Sequence, residues 1–299
     1  MALAIIPEGL AGFRADIGAA RLFGVSRSRI EQAAEQGKLL VDQVPVVKSH
    51  RLNAGAMIEV HLDEPRPLQM TAMIVQGMRI VDDDADLVVV DKPPGVASHP
   101  SQGWDGPSVV EHLLAAGFPP CPSGPPERPG IVSRLDVGTS GLMVVAKSAV
   151  AYEKLKQAFS SRQVHKIYHG LCQGYLQPPV GTIDAPIAHT RTDEWKMEVS
   201  PRGKQALTHF RVLETRDRVS LVELRLETGR THQIRVHMAS IRHPLVGDLL
   251  YGADPRLAEE LGVQRQWLHA KELGFIHPRS GKMMTYTCDY PEDLLESLV

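Results

Sequence analysis

The stretch Gly130–Ser148, GIVSRLDVGTSGLMVVAKS, contains the features that decide how this part of the chain folds. Asp136 lies just before the small residues GTS, and small polar residues that bond their own backbone favour turns. The apolar run LMVVA after them is typical of a buried strand, and Ser148 is placed to cap a helix. The stretch therefore predicts a turn, a strand and a helix start, with Asp136 at the turn.

The segments around this stretch mix strands and helices without a regular alternation. LTHFRVLE and VSLVELRLE alternate apolar and polar residues with period two, which predicts two antiparallel neighbours, and LVVV at 87–90 predicts a short buried strand. Ser108 is expected to cap one helix, and Thr231 another that contains QIRVHMAS. We therefore expect an α+β fold with a mixed, largely antiparallel sheet and flanking helices.

Composition limits the possible partners and compartments. The 299 residues include 33 Lys and Arg against 35 Asp and Glu, so any contact with a polyanion must depend on local patches. Cys121, Cys172 and Cys288 lie far apart without a CxxC pair, which fits a reducing cytoplasm. No stretch is long and apolar enough for a signal peptide or a membrane helix. We expect a cytoplasmic protein that does not contact a membrane.

The N-terminal region carries one such local patch. The segment between Arg14 and Arg51 contains seven basic and four acidic residues. An ordinary solvated surface could have the same net positive charge. The segment VSRSRIEQAAEQGKLLVDQ resembles the S4-type RNA-binding domain, with Asp42 and Gln43 where that family usually has Asn-Gly. The resemblance implies a small α/β RNA-binding domain at 12–64. Pro65 and Pro67, with no clear periodicity before the next strand, predict a linker at 65–78 that is followed by a second domain at 79–299. The RNA contacts expected on the S4-like domain are Arg27, Arg29 and Lys38.

Asp136 alone supports several interpretations. A turn-forming role is the ordinary one for an Asp beside small residues. An aspartyl nucleophile of a metal-dependent phosphotransferase would need further carboxylates for Mg²⁺, and no second acid is nearby. His232, His237 and His243 lack the HExxH spacing and an accompanying acid or cysteine, so we expect no metal.

Four segments in order narrow the interpretation. VVVDKPPGVASHP, RLDVGTSGLMVVAK, VHKIYHGLCQGY and LETGRTHQIRVHMASIRHPLVGDLLYG together resemble the ribosomal large-subunit RNA pseudouridine synthases of the A and D types. The resemblance implies isomerisation of uridine in RNA, with Asp136 as the catalytic residue. It also implies that Tyr168 lies against the target base and that Arg235 pairs with the aspartate. The chain departs from the family at Ser133, where His is common.

Elementary chemistry is consistent with these roles. One ionised carboxylate can attack the ribose carbon or the base, or remove a sugar proton, and the residues leave these routes open. A guanidinium beside Asp136 would keep it ionised in an enclosed site. Stacking on Tyr168, at about 1 to 3 kcal/mol per base, would offset much of the cost of extruding a base. No cofactor is needed.

Basic residues near the motifs complete the predicted site. Arg134, Lys147, Lys166 and Arg230 would attract phosphates, and His232 is expected to face them too. The expected partner is RNA, with ribosomal RNA favoured over transfer RNA by the S4-like domain, and we expect a monomer. The alternative is a catalytically inactive RNA-binding protein of the same fold.

Overall fold

The computed structural model describes residues 2–25, 27–62, 70–101, 104–190 and 196–298. The chain divides into an N-terminal unit, Met1–Pro67, and a C-terminal unit, Leu68–Val299. Among the described residues, no helix combines the length and the apolar character needed to cross a membrane.

The N-terminal unit packs two helices on one small antiparallel sheet. Its elements are β1 (Ala2–Ile5), α1 (Ala15–Phe23), α2 (Arg27–Glu35), β2 (Leu39–Val41), β3 (Val44–Pro45) and β4 (Met57–Val60). The strand order is β1-β4-β2-β3. Ala19, Ile30 and Ile58 are fully buried between helices and sheet. The predicted start at residue 12 is therefore too late for this unit, because β1 pairs with β4.

The hairpin between β2 and β3 has Asp-Gln at the two turn positions where the S4-type family usually has Asn-Gly. Asp42 and Gln43 both have positive φ, 48° and 68°. Two consecutive residues with positive φ are the signature of a type I′ turn, which matches the twist of the flanking strands. Asp-Gln thus takes the backbone form that Asn-Gly adopts more easily.

The C-terminal unit is built on a nine-stranded sheet. Its elements are β5 (Arg79–Asp83), β6 (Leu87–Lys92), α3 (Val109–Ala115), β7 (Ser140–Ala146), α4 (Ala149–Ser160), β8 (His165–Gln173), β9 (Val180–Asp184), β10 (Ile187–His189), β11 (Met197–Val199), β12 (Leu207–Arg216), β13 (Val219–Leu226), α5 (Gln233–Ser240), α6 (Pro255–Glu260), β14 (Leu268–Ile276), β15 (Met283–Thr287) and α7 (Glu292–Leu295). The strand order is β5-β6-β7-β14-β8-β13-β12-β9, with β15 beside β14, while β10 and β11 form a separate hairpin.

The predicted largely antiparallel sheet is confirmed. β12 pairs antiparallel with β13, and among the named strands in the described ranges only β7 and β14 pair in parallel. That pair approaches closely at Gly141, where φ is 110° and an added Cβ would lie 2.4 Å from the carbonyl oxygen of Ala270. β14 thereby joins β5, β6 and β7 to the rest of the sheet.

Capping residues and apolar runs in the sequence predicted several of the observed element boundaries. Every residue of β7 is buried, and the Oγ of Ser148 accepts the N–H of Ala151 at the start of α4. Ser108 caps α3 in the same way, through the N–H of Glu111. The predicted cap at Thr231 is wrong, because α5 begins at Gln233 and its N-cap position is His232.

Candidate active site

Asp136 lies in the turn that leads into β7. The N–H of Thr139 donates to the carbonyl of Asp136 at 3.0 Å and closes this turn. The hydroxyl of Ser98 accepts the N–H of Leu135 at 2.9 Å and donates to its carbonyl at 3.1 Å. The Asp136 side chain remains 24% exposed. The backbone is thus fixed while the carboxylate stays accessible.

Two cations, Lys92 and Arg265, bind the backbone of this turn. Lys92 is fully buried, and its Nζ donates to the carbonyls of Pro93, Val96 and Val137 at 3.1, 2.8 and 3.2 Å. Burial lowers the pKa of Lys92 to about 7, against a smaller opposing effect from Asp136. Arg265 donates to the carbonyl of Gly138 at 2.8 Å. The DKPPG segment and the segment before β14 are therefore both tied to the Asp136 turn.

Arg235 of α5 connects two carboxylates. Its Nη1 donates to Oδ2 of Asp136 at 3.3 Å, while its Nε and Nη2 hold Asp248 at 2.7 and 2.8 Å. Burial alone would lower the pKa of Arg235, but the hydrogen bonds and charge of Asp248, with those of Asp136, raise it. Asp248 is almost fully buried, at 1% side-chain exposure. A permanent positive charge therefore lies beside Asp136.

His232 and Tyr251 complete the same side of the pocket. Nε2 of His232 lies 3.9 Å from Oδ2 of Asp136, and its Nδ1 is 2.8 Å from the hydroxyl of Tyr251. The Tyr251 ring lies 5.0 Å from the Cζ of Arg235. Burial lowers the pKa of His232, although the charge of Asp136 opposes this effect.

Tyr168 approaches the pocket from the sheet. It lies in β8 opposite Leu224 of β13 and Ala270 of β14, and it is partly buried. Loss of solvent raises the pKa of its hydroxyl, and the negative charge of Asp136 raises it further. Tyr168 is thus a neutral phenol within the electrostatic reach of Asp136.

Three of the predicted phosphate-binding side chains form no ion pair with an acid in the described part of the chain. They are Arg134, Arg230 and Lys166. Arg134 is exposed and donates to Oγ1 of Thr231 at 3.3 Å, while Arg230 is exposed and donates to the carbonyl of Gln205 at 3.0 Å. Lys166 is 8% exposed, and within the described part of the chain its ammonium has no acidic partner. Burial lowers its pKa to about 8.

The prediction that Lys147 flanks Asp136 is wrong. Lys147 follows the last residue of β7, whereas Asp136 precedes the first, and seven strand residues span roughly 20 Å. Its Nζ bonds Asp83 and the carbonyl of Asp84, which lies 2.6 Å away. Sequence proximity was misleading because a strand carries its two ends to opposite edges of the sheet.

The N-terminal unit uses part of its predicted patch internally. Arg27 bonds Oδ2 of the buried Asp16 at 2.8 Å and lies 2.9 Å from Glu31. Arg29 lies within α2, and Lys38 lies between α2 and β2. The charge of Arg27 is therefore balanced within the unit.

The histidines for which the sequence predicted no metal are hydrogen-bonded within the protein. His237 contacts Oγ1 of Thr208 at 2.8 Å, and His243 contacts the carbonyl of Gln173 at 2.7 Å. Asp84, Asp86 and His277 bring ligand atoms within 4.8 Å of one another, away from the Asp136 turn. Asp84 accepts two backbone N–H groups and Asp86 binds Arg279, so this cluster has internal partners.

Sequence reasoning missed four residues of the site. They are Lys92, Asp248, Tyr251 and Arg265. An acid inside the apolar segment PLVGDLLYG was a usable signal, because a buried carboxylate needs a cationic partner. Lys92, directly after four apolar residues and Asp91, gave a similar signal.

Comparison with known protein families adds an independent finding. The family model described as RNA pseudouridylate synthase matches residues 86–240. That interval contains Asp136, Tyr168 and Arg235.

Individual relatives agree with this match over nearly the whole chain. An uncharacterized RNA pseudouridine synthase of Mycobacterium bovis is 52% identical over 294 residues, which is 98% of this chain and 96% of that protein. The ribosomal large subunit pseudouridine synthase D of Zymomonas mobilis is 37% identical, over 97% of this chain and 94% of that protein. The solved structure of human RNA pseudouridylate synthase domain containing 4 is 27% identical, with a TM-score of 0.58, and covers 73% of this chain and 91% of its own.

Proposed function

Because the chain belongs to the RNA pseudouridylate synthase family and is therefore an RNA isomerase, we propose that it converts specific uridines of ribosomal RNA to pseudouridine with Asp136 as the catalytic residue. The observation that carries the assignment is the contact between Arg235 and the partly exposed carboxylate of Asp136. The guanidinium lies 3.3 Å from Oδ2 and sets a positive charge beside the carboxylate that is proposed to react.

The two oxygens of Asp136 have different surroundings. Arg235 donates to Oδ2, and His232 lies nearest the same oxygen. Among the described residues, no hydrogen bond reaches Oδ1. One oxygen is thus held by the protein while the other keeps its lone pairs for the substrate.

This arrangement suits each of the routes that the sequence left open. The bond between N1 of uracil and C1′ of ribose breaks, the base turns, and C5 bonds to C1′. The proton on C5 leaves and N1 ends with a proton, so the net change is an isomerisation. Attack on the ribose, attack on the base and removal of a sugar proton all need one free oxygen on an ionised carboxylate.

Tyr168 supports binding of the everted base. It lies two residues along β8 from the buried Lys166, and its ring belongs to the partly buried edge of an apolar cluster. A neutral phenol ring can stack on uracil, which contributes about 1 to 3 kcal/mol toward the cost of extrusion. Tyr168 is proposed to supply that stacking surface.

Phosphate binding is proposed for the basic residues that remain available. Arg134 and Arg230 are exposed close to Thr231 and the start of α5, and Lys166 is a buried cation without an acid in the described chain. A buried unpaired ammonium is costly, and an RNA phosphate would remove that cost.

Three further expectations stay predictions from the sequence. They are the S4-like role of the N-terminal unit, the cytoplasmic location and the monomeric state.

Replacement of Asp136 by Asn tests the catalytic assignment. The amide keeps the size of the side chain but cannot act as an ionised carboxylate. We expect at least about a thousandfold loss of tritium release from RNA labelled at C5 of uridine, with RNA affinity within about twofold of wild type. Asp217→Asn, at an exposed position with 86% side-chain exposure, is the matched control.

The same assay separates the proposal from the inactive alternative. If the wild-type chain binds RNA but releases no tritium from any cellular RNA, the inactive RNA-binding alternative is correct. If Asp136→Asn keeps an appreciable rate, another residue performs the chemistry. Release from transfer RNA alone would contradict the ribosomal target, which is supported by similarity to the ribosomal large subunit pseudouridine synthase D of Zymomonas mobilis.

A further inference from the structure

The hydroxyl of Tyr251 lies between a backbone donor and the catalytic pocket. The N–H of Met197, at the start of β11, donates to the phenol oxygen at 3.0 Å. Nδ1 of His232 lies 2.8 Å from the same oxygen. A backbone amide can only donate, so the phenol oxygen accepts this bond. In the described ranges no other acceptor bonds this hydroxyl, so the arrangement that pairs every group directs its single proton to Nδ1 of His232.

In that arrangement the bond from Tyr251 selects which nitrogen of His232 carries the proton. If Nδ1 accepts from Tyr251, the neutral ring has its proton on Nε2. Nε2 is the nitrogen that lies 3.9 Å from Oδ2 of Asp136. Burial, which lowers the pKa of His232, keeps the ring neutral. The N–H dipole therefore faces the carboxylate.

The aromatic ring of Tyr251 acts on the second group that contacts Asp136. Its centroid lies 5.0 Å from the Cζ of Arg235, within the range of a cation–π contact. Arg235 must hold its plane so that one edge binds Asp248 while Nη1 reaches Asp136. One tyrosine thus contacts both side chains that lie nearest Oδ2.

We propose that Tyr251 is a positioning residue of the isomerisation. Its hydroxyl holds His232 with Nε2–H toward Asp136, and its ring holds the plane of Arg235. Arg235 then donates to Oδ2, the N–H of His232 faces the same oxygen from 3.9 Å, and Oδ1 is left to react. This inference rests on the proposed function, because it assigns a role in the step that Asp136 performs.

Tyr251→Phe is the variant that isolates the hydroxyl. The ring remains, so Arg235 keeps its neighbour, while His232 loses the bond that selects its tautomer. We expect about a tenfold lower single-turnover rate, the equivalent of one hydrogen bond, and RNA affinity within about twofold of wild type. The matched control is Tyr175→Phe, because the exposed phenol of Tyr175 also accepts a backbone N–H, from Arg218 at 3.2 Å.

A double-mutant cycle with His232→Asn tests whether Tyr251 acts through His232. Asn tolerates the left-handed backbone of position 232, where φ is 53°. If the hydroxyl acts only through His232, Tyr251→Phe lowers the rate no further in the His232→Asn background. The ¹⁵N shifts of the His232 ring, assigned by comparison with that variant, are expected to report protonated Nε2 in the wild type.

Each outcome separates this inference from the proposed function. Full activity of Asp136→Asn would remove the premise. With Asp136→Asn inactive, the inference alone is overturned by a wild-type rate in Tyr251→Phe, by additive effects in the cycle, or by a proton on Nδ1. A loss of RNA affinity at unchanged rate would make Tyr251 an RNA contact instead.

Discussion

At the scale of single residues, the division of Arg235 between two carboxylates is the main feature of the site. Asp248 takes the bidentate edge of the guanidinium, and Asp136 takes the remaining Nη1 at a longer distance. The buried Asp248 therefore fixes the position of Arg235, and Arg235 fixes Oδ2 of Asp136. The weaker of the two contacts lies at the reacting group, which suits a carboxylate that must keep electron density for the substrate.

Arg235→Lys is expected to break this division. An ammonium is a point charge without the planar fork, so it cannot serve both carboxylates in the same geometry. We expect about a hundredfold lower kcat, because a small displacement of a catalytic group is costly, and a loss of roughly 2 to 3 kcal/mol in the free energy of unfolding. Tritium release and urea unfolding measure the two effects.

The matched control for that prediction is Arg211→Lys. Arg211 also binds a carboxylate, that of Glu223, through two nitrogens, but its side chain is 56% exposed. An exposed pair contributes only about 0 to 1 kcal/mol. Equal losses in the two variants would show that the shared, buried geometry of Arg235 has no special role.

At the scale of elements, the start of α1 depends on a buried acid. Asp16 is fully buried and accepts bonds from Arg14, from Arg27 of α2 and from the N–H of Ile17. Burial would raise the pKa of Asp16, but the bonds and charges of Arg14 and Arg27 lower it overall. The carboxylate therefore joins the two helices of the N-terminal unit while it is ionised.

Asp16→Asn is expected to loosen α1 and α2 together. The Asn side chain lacks the charge that Arg14 and Arg27 bind. Backbone hydrogen exchange in α1 and α2 should therefore report an opening free energy about 2 kcal/mol lower than in the wild type. The pKa of Asp16 is lowered in the folded state, so its contribution is present at neutral pH and is lost as the pH falls below its ordinary value. Glu8→Gln is the control, and unchanged protection in Asp16→Asn would contradict the prediction.

At the scale of the whole C-terminal unit, β14 is the strand that joins the sheet. His269 of β14 lies opposite Ser140 of β7, and its Nδ1 is 2.9 Å from the Ser140 hydroxyl, across 129 positions of the chain. Its Nε2 lies 3.1 Å from Sγ of Cys288. Burial lowers the pKa of His269 to about 3, with smaller effects of Lys271 and Arg265. The central sheet therefore requires a neutral His269.

The stability of this unit is expected to fall in mild acid. Unfolded His269 binds a proton below about pH 6.5, whereas the folded form does not until about pH 3. Between these two pH values the unfolded state therefore holds more protons than the folded state. Each decrease of one pH unit lowers the free energy of unfolding by up to about 1.4 kcal/mol through His269. Urea unfolding followed by tryptophan fluorescence measures it, since all three tryptophans belong to this unit.

His269→Gln should remove the contribution of this histidine to the pH dependence of the free energy of unfolding. His165→Gln, at a position with 44% side-chain exposure in β8, should leave it unchanged. A variant of His269 with the wild-type slope between pH 6.5 and 4 would show that other groups account for the acid sensitivity.

The sequence by itself determined the features that depend on neighbours along the chain. The Ser108 and Ser148 caps, the buried run of β7 and the alternation of β12 and β13 are local, because a cap or a strand face needs only residues a few positions away. The ordered motifs also indicated the family and the three residues expected at its centre.

Only the tertiary structure decided how those residues are held. Arg235 and Asp136 are 99 positions apart, and their contact exists only once β14 has joined the two parts of the sheet. Lys92 and Val137 are 45 positions apart, and their contact depends on the pairing of β6 with β7. The same assembly gave Asp248 the larger share of Arg235. Distances between distant segments depend on the packing of every strand between them, which no local pattern specifies.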